Sequence, residues 1–291
     1  MGVLGGVGTH STHPDYRRRM TIDEGAELPG DEALDVAVVG GGNMGAALLG
    51  GMIGSGAFPA GRLCVVEVLP ERRSELIALF PGVRVSAEIP SCRSAVLAVK
   101  PADAAAAARV AVQAGATRVL SIAAGVRLAT LDAAAEGAAV IRAMPNTPAL
   151  VGKGSAAIAA GASASDDDMA WAATILGSVG TVEVLPEALI DAFTGVAGSG
   201  PAYVFLFAEA LIEAAVGEGI DRATAGRVVR QLVLGSAVLL DRELDPVALR
   251  RQVTSPGGTT AAGIAVFEHL DLQTIVAQAV RAATQRSREL G

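Results

Sequence analysis

Residues 35–45 read Asp35-Val36-Ala37-Val38-Val39-Gly40-Gly41-Gly42-Asn43-Met44-Gly45. A short, mostly β-branched apolar run suits a parallel strand buried on both faces. A Gly-x-Gly-x-x-Gly turn follows it directly, and the chain then has helical composition to about Ser55. Strand, glycine turn and helix together are the context in which this fingerprint binds a dinucleotide. Gly40 permits the tight turn, Gly42 lets a diphosphate approach the backbone, and Gly45 lets the helix pack closely on the strand. Asn43 and Met44 open the helix, whose N–H groups and positive dipole end face the diphosphate.

Outward from this unit the pattern repeats. Arg62–Val68, Val83–Ser86, Ser94–Val99, Arg118–Ile122, Ala138–Ala143, Ser155–Ala160 and Thr181–Leu185 read as strands, with helical stretches such as Pro70–Phe80 between several of them. Alternating β and α predicts an α/β fold, a Rossmann-type doubly wound parallel sheet covered on both faces, over residues 34–185. After Pro186 the strands stop. Segments near 202–218, 221–241 and 259–270 carry Ala, Val and Leu on more than one face, so 186–291 reads as an all-α dimerisation domain buried against a second copy, with a self-contained helical domain as the alternative. Gly198-Ser199-Gly200-Pro201 and Ser255-Pro256-Gly257-Gly258 punctuate it. Residues 1–33 read as a disordered extension; no apolar run follows Arg17-Arg18-Arg19, so no secretory signal is expected.

The composition of the 291 residues narrows the function classes. A net charge of −7 without a long basic run argues against nucleic acid. No stretch reaches about 18 uncharged apolar residues, so no membrane span is expected. Two cysteines, Cys64 and Cys92, make neither a disulfide scaffold nor a thiolate zinc site, and they read as small apolar residues of a reducing cytoplasm. Two of the three histidines, His10 and His13, precede the folded body, leaving His269; the only lysines are Lys100 and Lys153. No metal is expected, and catalysis must rely on carboxylates, hydroxyls, backbone N–H groups, these few bases or a cofactor that carries the chemistry itself.

Glu67 lies about 20 residues beyond the fingerprint, where an acid binds the ribose 2′-OH of NAD. Arg72 and Arg73 follow, suited to the 2′-phosphate of NADP or to a solvated helix face with Glu71 and Glu75. NADPH and NADH both remain open as cofactor. Val99-Lys100-Pro101, Ala123-Ala124-Gly125 and Asn146 also follow predicted strands, on the edge where open α/β sheets bind ligands. A second glycine turn, Val253 to Thr260, leads into a helix and suits an anion such as a carboxylate; the alternative is a plain N-cap by Ser255 or Thr259.

The ordered motifs GGGNMG, AVKP, IAAGV, RAMPNTP, TGVAGSGPAY and VTSPGGTTAAG resemble pyrroline-5-carboxylate reductase from about Val36 to near the C-terminus. The resemblance implies reduction of 1-pyrroline-5-carboxylate to L-proline with NAD(P)H, dimerisation through the C-terminal helices and assembly of dimers into decamers. It implies that the Gly257-Gly258-Thr259 backbone, with Ser255, holds the substrate carboxylate. Thr260 meets the ring nitrogen as the catalytic hydroxyl, and Glu187 and Gln252 line the substrate site. Two other readings are a dehydrogenase of hydroxy or keto acids and a non-catalytic dinucleotide sensor; the latter has no need of SPGGTT.

Overall fold

The computed structural model describes residues 34–243 and 245–291. The expectation for residues 1–33 lies outside the described residues. The sheet comprises β1 (Leu34–Val39), β2 (Leu63–Val66), β3 (Arg84–Ser86), β4 (Cys92–Leu97), β5 (Arg118–Ser121), β6 (Ala139–Met144), β7 (Gly154–Ala160) and β8 (Gly180–Val184). Their order is β3-β2-β1-β4-β5-β6-β7-β8. The first six run parallel, and the order reverses between β1 and β4.

Strand β1 shows why the apolar run is continuous. Val36 and Val38 face a core shared with Leu48, Leu49 and Met52 of α1 (Asn43–Gly54), Leu76 of α2 (Pro70–Leu79) and Ile175 and Leu176 of α5 (Asp166–Gly177). Ala37 and Val39 face the opposite core, with Ala104, Ala108 and Ala111 of α3 (Ala104–Gln113) and Leu128 and Leu131 of α4 (Leu128–Ala134). Each fully buried Leu or Met contributes roughly 1.5–3 kcal/mol. Cys64 and Cys92 are free and buried in the second core, and burial pushes their thiols up to about 12 and about 11. They are inert packing residues.

The sheet departs from the expected all-parallel pattern at one place. β7 is antiparallel to β6, because only a short 3₁₀ turn, Thr147–Val151, joins them. A parallel return needs a crossover of a dozen or more residues. Helix α5 then supplies such a crossover, and β8 is parallel to β7.

Beyond β8 the described residues are helical: α6 (Glu187–Phe193), α7 (Gly200–Gly217), α8 (Arg222–Glu243), α9 (Pro246–Gln252), α10 (Thr259–His269) and α11 (Leu272–Leu290). The expected break at Gly198–Pro201 is not a break. Thr194–Gly198 form a π turn in which Ser199 N–H donates to the Thr194 carbonyl at 2.8 Å, and α6 runs through it into α7. Pro201 stands in the first turn of α7, where a missing N–H is tolerated. α11 folds back onto this turn: a side chain at Gly195 would meet Thr284 and Val280, and Ser287 Oγ donates to Asp191 Oδ1 at 2.7 Å.

Helices α7 and α8 leave large apolar side chains exposed. Phe205, Leu206 and Leu234 are each at least 60% exposed. By length and composition alone, Glu187–Gly217 and Arg222–Arg242 are long and apolar enough to cross a membrane. The same helices carry Glu209, Glu213, Arg227 and Arg230, and each ionised group at a bilayer centre costs about 3 kcal/mol. A second protein surface covers such a face without that penalty. We expect the wild-type chain to sediment as a dimer or larger. Phe205→Glu with Leu232→Glu should shift it to the monomer in analytical ultracentrifugation; a wild-type monomer contradicts this reading.

Candidate active site

Five parallel strands place their carboxyl ends on one edge, in the order β2, β1, β4, β5, β6. The expected cofactor residues therefore come together: Glu67 after β2, Gly40–Gly45 after β1, Val99-Lys100-Pro101 after β4, Ala123-Ala124 after β5 and Asn146 after β6. A cleft of about 560 Å³ lined by Asp35, Arg93, Arg118 and Trp171 opens at the amino ends of β1, β4 and β5 instead, so it is not this site.

The three glycines of the fingerprint have three separate causes. Gly40 sits at φ +106°, a left-handed conformation, and a side chain there would strike the Ala98 carbonyl. Gly45 packs against the Gly40 carbonyl, so any Cβ would collide with it. Gly42 has an ordinary φ of −66° and nothing within 4 Å of where a Cβ would stand. The space at Gly42 is thus left open rather than filled by the protein. Gly42 is also the N-cap of α1, no side chain caps it, and no acid stands in the first turn. The first N–H groups of α1 face outward with a positive dipole end, which suits a diphosphate.

Glu67 closes the outer side of this loop. Its Oε2 accepts the Gly41 N–H at 3.1 Å and its Oε1 the Leu69 N–H at 3.0 Å. Arg72 pairs with Glu75 at 2.6 Å as a helix face would, but its Nε also donates to the Gly41 carbonyl at 2.8 Å. Arg73 donates to the Glu67 and Val68 carbonyls. Lys100 is exposed, and its carbonyl accepts the Asp103 N–H after Pro101. Ala123 is buried and Ala124 exposed, the small residues leaving the β5 end uncluttered. Asn146 does something the sequence did not indicate. Its Nδ2 donates to the Ala197 carbonyl at 3.0 Å and its Oδ1 accepts the Ser155 N–H at 2.9 Å, so it pins the π turn to the sheet edge.

The second glycine turn stands apart from the first. Gly257 is at φ +70°, Gly258 is the N-cap of α10, and neither Ser255 nor Thr259 caps the helix. The capping alternative therefore fails, and the first N–H groups of α10 are free of side-chain partners. By contrast, α5, α9 and α11 are capped by Ser165, Asp245 and Asp271. Gln252, Ser255, Gly257, Thr259 and Thr260 are all exposed. Within one chain, no described hydrogen bond or ion pair joins 245–270 to the sheet.

Glu187 is occupied. Its Oε1 accepts the Leu128 N–H at 2.7 Å and Arg142 Nη1 at 2.9 Å, and Asp191 lies 3.6 Å from Arg142 Nη2. Arg142 is only 4% exposed. This cluster ties α6 to β6 and satisfies the start of α4. Sequence reasoning passed over Arg142, although a lone arginine inside the apolar strand Ala-Val-Ile-Arg-Ala-Met was the available signal.

Comparison with known proteins joins these two halves. The family described as pyrroline-5-carboxylate reductase dimerisation matches residues 187–290, and that described as NADP oxidoreductase, coenzyme F420-dependent, matches 35–125. A pyrroline-5-carboxylate reductase of Synechocystis sp. is 42% identical over 268 residues, covering 89% of this chain and 99% of the relative. The chain belongs to the pyrroline-5-carboxylate reductase family. A family reductase from Arabidopsis thaliana is 36% identical over 266 residues, covering 89% of this chain and 96% of its own. The solved pyrroline-5-carboxylate reductase of Coxiella burnetii superposes with a TM-score of 0.82 at 32% identity, over 89% of this chain and 99% of that one. A Plasmodium falciparum pyrroline carboxylate reductase structure with NADP bound gives 0.75 at 27% identity, over 89% and 98%.

Two outcomes follow for this reductase-family chain. Gly42→Val should fold normally, because its φ is ordinary and its surroundings are open, yet bind dinucleotide at least about 100-fold more weakly, or about 3 kcal/mol. Unaltered affinity by calorimetry contradicts the placement of the diphosphate. Glu187→Ala leaves Arg142 with the more distant Asp191 alone, and should lower stability by about 2–3 kcal/mol in thermal or denaturant unfolding. An unchanged midpoint contradicts the anchoring role.

Proposed function

We propose that this chain reduces the cyclic imine 1-pyrroline-5-carboxylate to L-proline, with NADPH or NADH as hydride donor. One observation carries the reading: two helices open on uncapped glycine N-termini, α1 on the sheet edge and α10 in the helical half. The reaction has two anionic groups to hold, a cofactor diphosphate and a substrate carboxylate. The residues fit the dinucleotide because the space at Gly42 is open and the neighbouring loop residues Val99, Ala123 and Ala124 are small. When bound, the reduced nicotinamide supplies a hydride for the imine carbon.

The chain's own residues bind, orient and move a proton. Gly257, Gly258 and Thr259 offer backbone N–H groups, with Ser255 beside them, to the substrate carboxylate. Thr260 presents its hydroxyl to the ring nitrogen, which gains a proton as the adjacent carbon gains the hydride. Gln252 and Glu187 border the substrate. Lys100, Pro101, Asn146 and the Ala123-Ala124 turn shape the nicotinamide end of the cleft, and most of the acceleration comes from holding donor and acceptor in near-attack geometry.

The working division is a dinucleotide domain over 34–185 and a helical domain over 186–291. The exposed 253–260 turn makes no bond to its own sheet, so a second copy supplies it to the site. The assembly is a homodimer, with five dimers forming the decamer that the resemblance implies. A cytoplasmic setting agrees with two unpaired buried thiols. Following NAD(P)H absorbance with pyrroline-5-carboxylate tests the activity: substrate-dependent oxidation supports it, and none with either cofactor overturns it. Thr260→Ala should lower kcat/KM about 100-fold while dinucleotide affinity is kept; unchanged kinetics remove Thr260 from the mechanism.

A further inference from the structure

Arginine is a costly residue for the interior of a sheet. Strand β6 reads Ala-Val-Ile-Arg-Ala-Met, and Arg142 in it is 4% exposed. Taking a guanidinium out of water carries a penalty that its partners at best offset, and exchanging a whole buried ionic cluster for apolar residues of similar volume is often neutral or stabilising. Stability is therefore a poor reason for Arg142. Its position in the sheet supplies a better one.

Arg142 stands opposite Ser121, the last residue of β5. Beyond Ser121 the chain turns through residues 122–127 into α4, and this loop carries the Ala123-Ala124 stretch that borders the nicotinamide end in the reading above. The Ser121 hydroxyl accepts the Ala123 N–H at 3.4 Å and holds the start of the loop. The helical half holds the rest of it. Glu187 of α6 accepts the Leu128 N–H at 2.7 Å, where the loop enters α4. Arg127 Nη2 donates to the Arg288 carbonyl of α11 at 3.4 Å. Gly125, at φ +78°, packs so closely on Leu290 that a Cβ there would stand 3.2 Å from its carbonyl oxygen.

Arg142 braces both of these helices. Its Nη1 donates at 2.9 Å to Glu187 Oε1, the same oxygen that takes the Leu128 N–H, and its Nη2 lies 3.6 Å from Asp191 Oδ1. That Asp191 oxygen accepts the hydroxyl of Ser287, three residues before Leu290 on α11. One guanidinium thus sets α6 and α11 against the loop after β5.

We propose that Arg142 is a positioning residue for hydride transfer: through Glu187 and Asp191 it fixes the loop against which the nicotinamide ring lies, without touching cofactor or substrate. The proposal rests on the reductase reading above and adds a residue to it. Hydride passes only in near-attack geometry, where a displacement of about 1 Å costs on the order of 100-fold in rate. The diphosphate turn follows β1, which β4 and β5 separate from β6, so binding of the adenosine and diphosphate should not respond to Arg142.

The test combines Arg142→Met, Glu187→Met and Asp191→Asn, which removes the cluster without stranding a charge. Affinities are measured by calorimetry, without substrate, for NADPH and for 2′-phospho-ADP-ribose, the same nucleotide lacking its nicotinamide. Leaving substrate out keeps the place of Glu187 beside it from entering the comparison. The unfolding midpoint should stay close to wild type and the affinity for 2′-phospho-ADP-ribose should be unchanged. NADPH should bind about tenfold more weakly, and kcat with pyrroline-5-carboxylate should fall about tenfold or more. If the triple variant does not fold, Arg142→Lys carries the test: its single ammonium cannot bond both carboxylates, and it should move NADPH affinity and kcat the same way by about threefold. Unchanged NADPH affinity, an equal loss of both nucleotides, or an unchanged kcat overturns the proposal. A wild type that binds NADPH without turning over pyrroline-5-carboxylate overturns the reductase reading instead, and the two nucleotide affinities alone then decide the role of Arg142.

Discussion

The contact on which the site depends is the one between Gly45 and the Gly40 carbonyl. With no Cβ at position 45, α1 approaches the end of β1 closely enough to aim its first N–H groups along the sheet edge. The left-handed turn at Gly40 brings the same loop against Ala98 at the end of β4, so the loop straddles the point where the strand order reverses. Leu48, Leu49 and Met52 then fasten the helix from below. A cap or an acid in the first turn would neutralise this dipole end, and the sequence supplies neither. The same solution appears at Gly258, where α10 opens without a side-chain cap. α5, by contrast, has a full capping box at Ser165 and Asp168, while α2, α3, α4, α6 and α7 open without a side-chain cap on residues other than glycine.

The two glycine turns are built on separate parts of the chain, and the structure joins those parts by a polar seam rather than through the turns. Arg142 on β6, Glu187 and Asp191 on α6 and Ser287 on α11 form one part of the seam. Asn146 and the π turn form the other. In the π turn, the Gly195 carbonyl accepts the Tyr203 hydroxyl at 3.1 Å. π turns of this kind recur at functional sites because they re-aim a helix locally. Here the turn lets one long helix leave the sheet edge and present α7 and α8 outward with their apolar faces uncovered.

Much of this was readable in the sequence, for physical reasons. Strands buried on both faces must be apolar, as the central strands are, and β1 to β8 all stand where strands were expected, with shifts of a residue or two at their ends; the outer β3 and β8 are partly exposed and more polar. Gly40 and Gly45 were assignable because each meets its own steric demand, and of the two readings of SPGGTT the simple side-chain N-cap is absent from α10. Other features were hidden. The reversal at β7 depends on connection length rather than on strand pattern, since nine residues between β6 and β7 leave no room for a crossover. Gly198-Ser199-Gly200-Pro201 has the composition of a break, yet hydrogen bonding five residues back carries the helix through it. Arg142 and Asn146 act through partners 45 and 51 residues away, which no local pattern encodes.

The central claim is that the diphosphate turn of one copy and the SPGGTT turn of another make one active site. Mixing Gly42→Val chains with Thr260→Ala chains, each nearly inactive alone, tests it directly. With random exchange in dimers, half of the assemblies are mixed and each of these has one intact site, so activity should return to about a quarter of wild type. Activity no higher than that of the separate variants, with subunit exchange verified by native mass spectrometry, would contradict a site shared between copies.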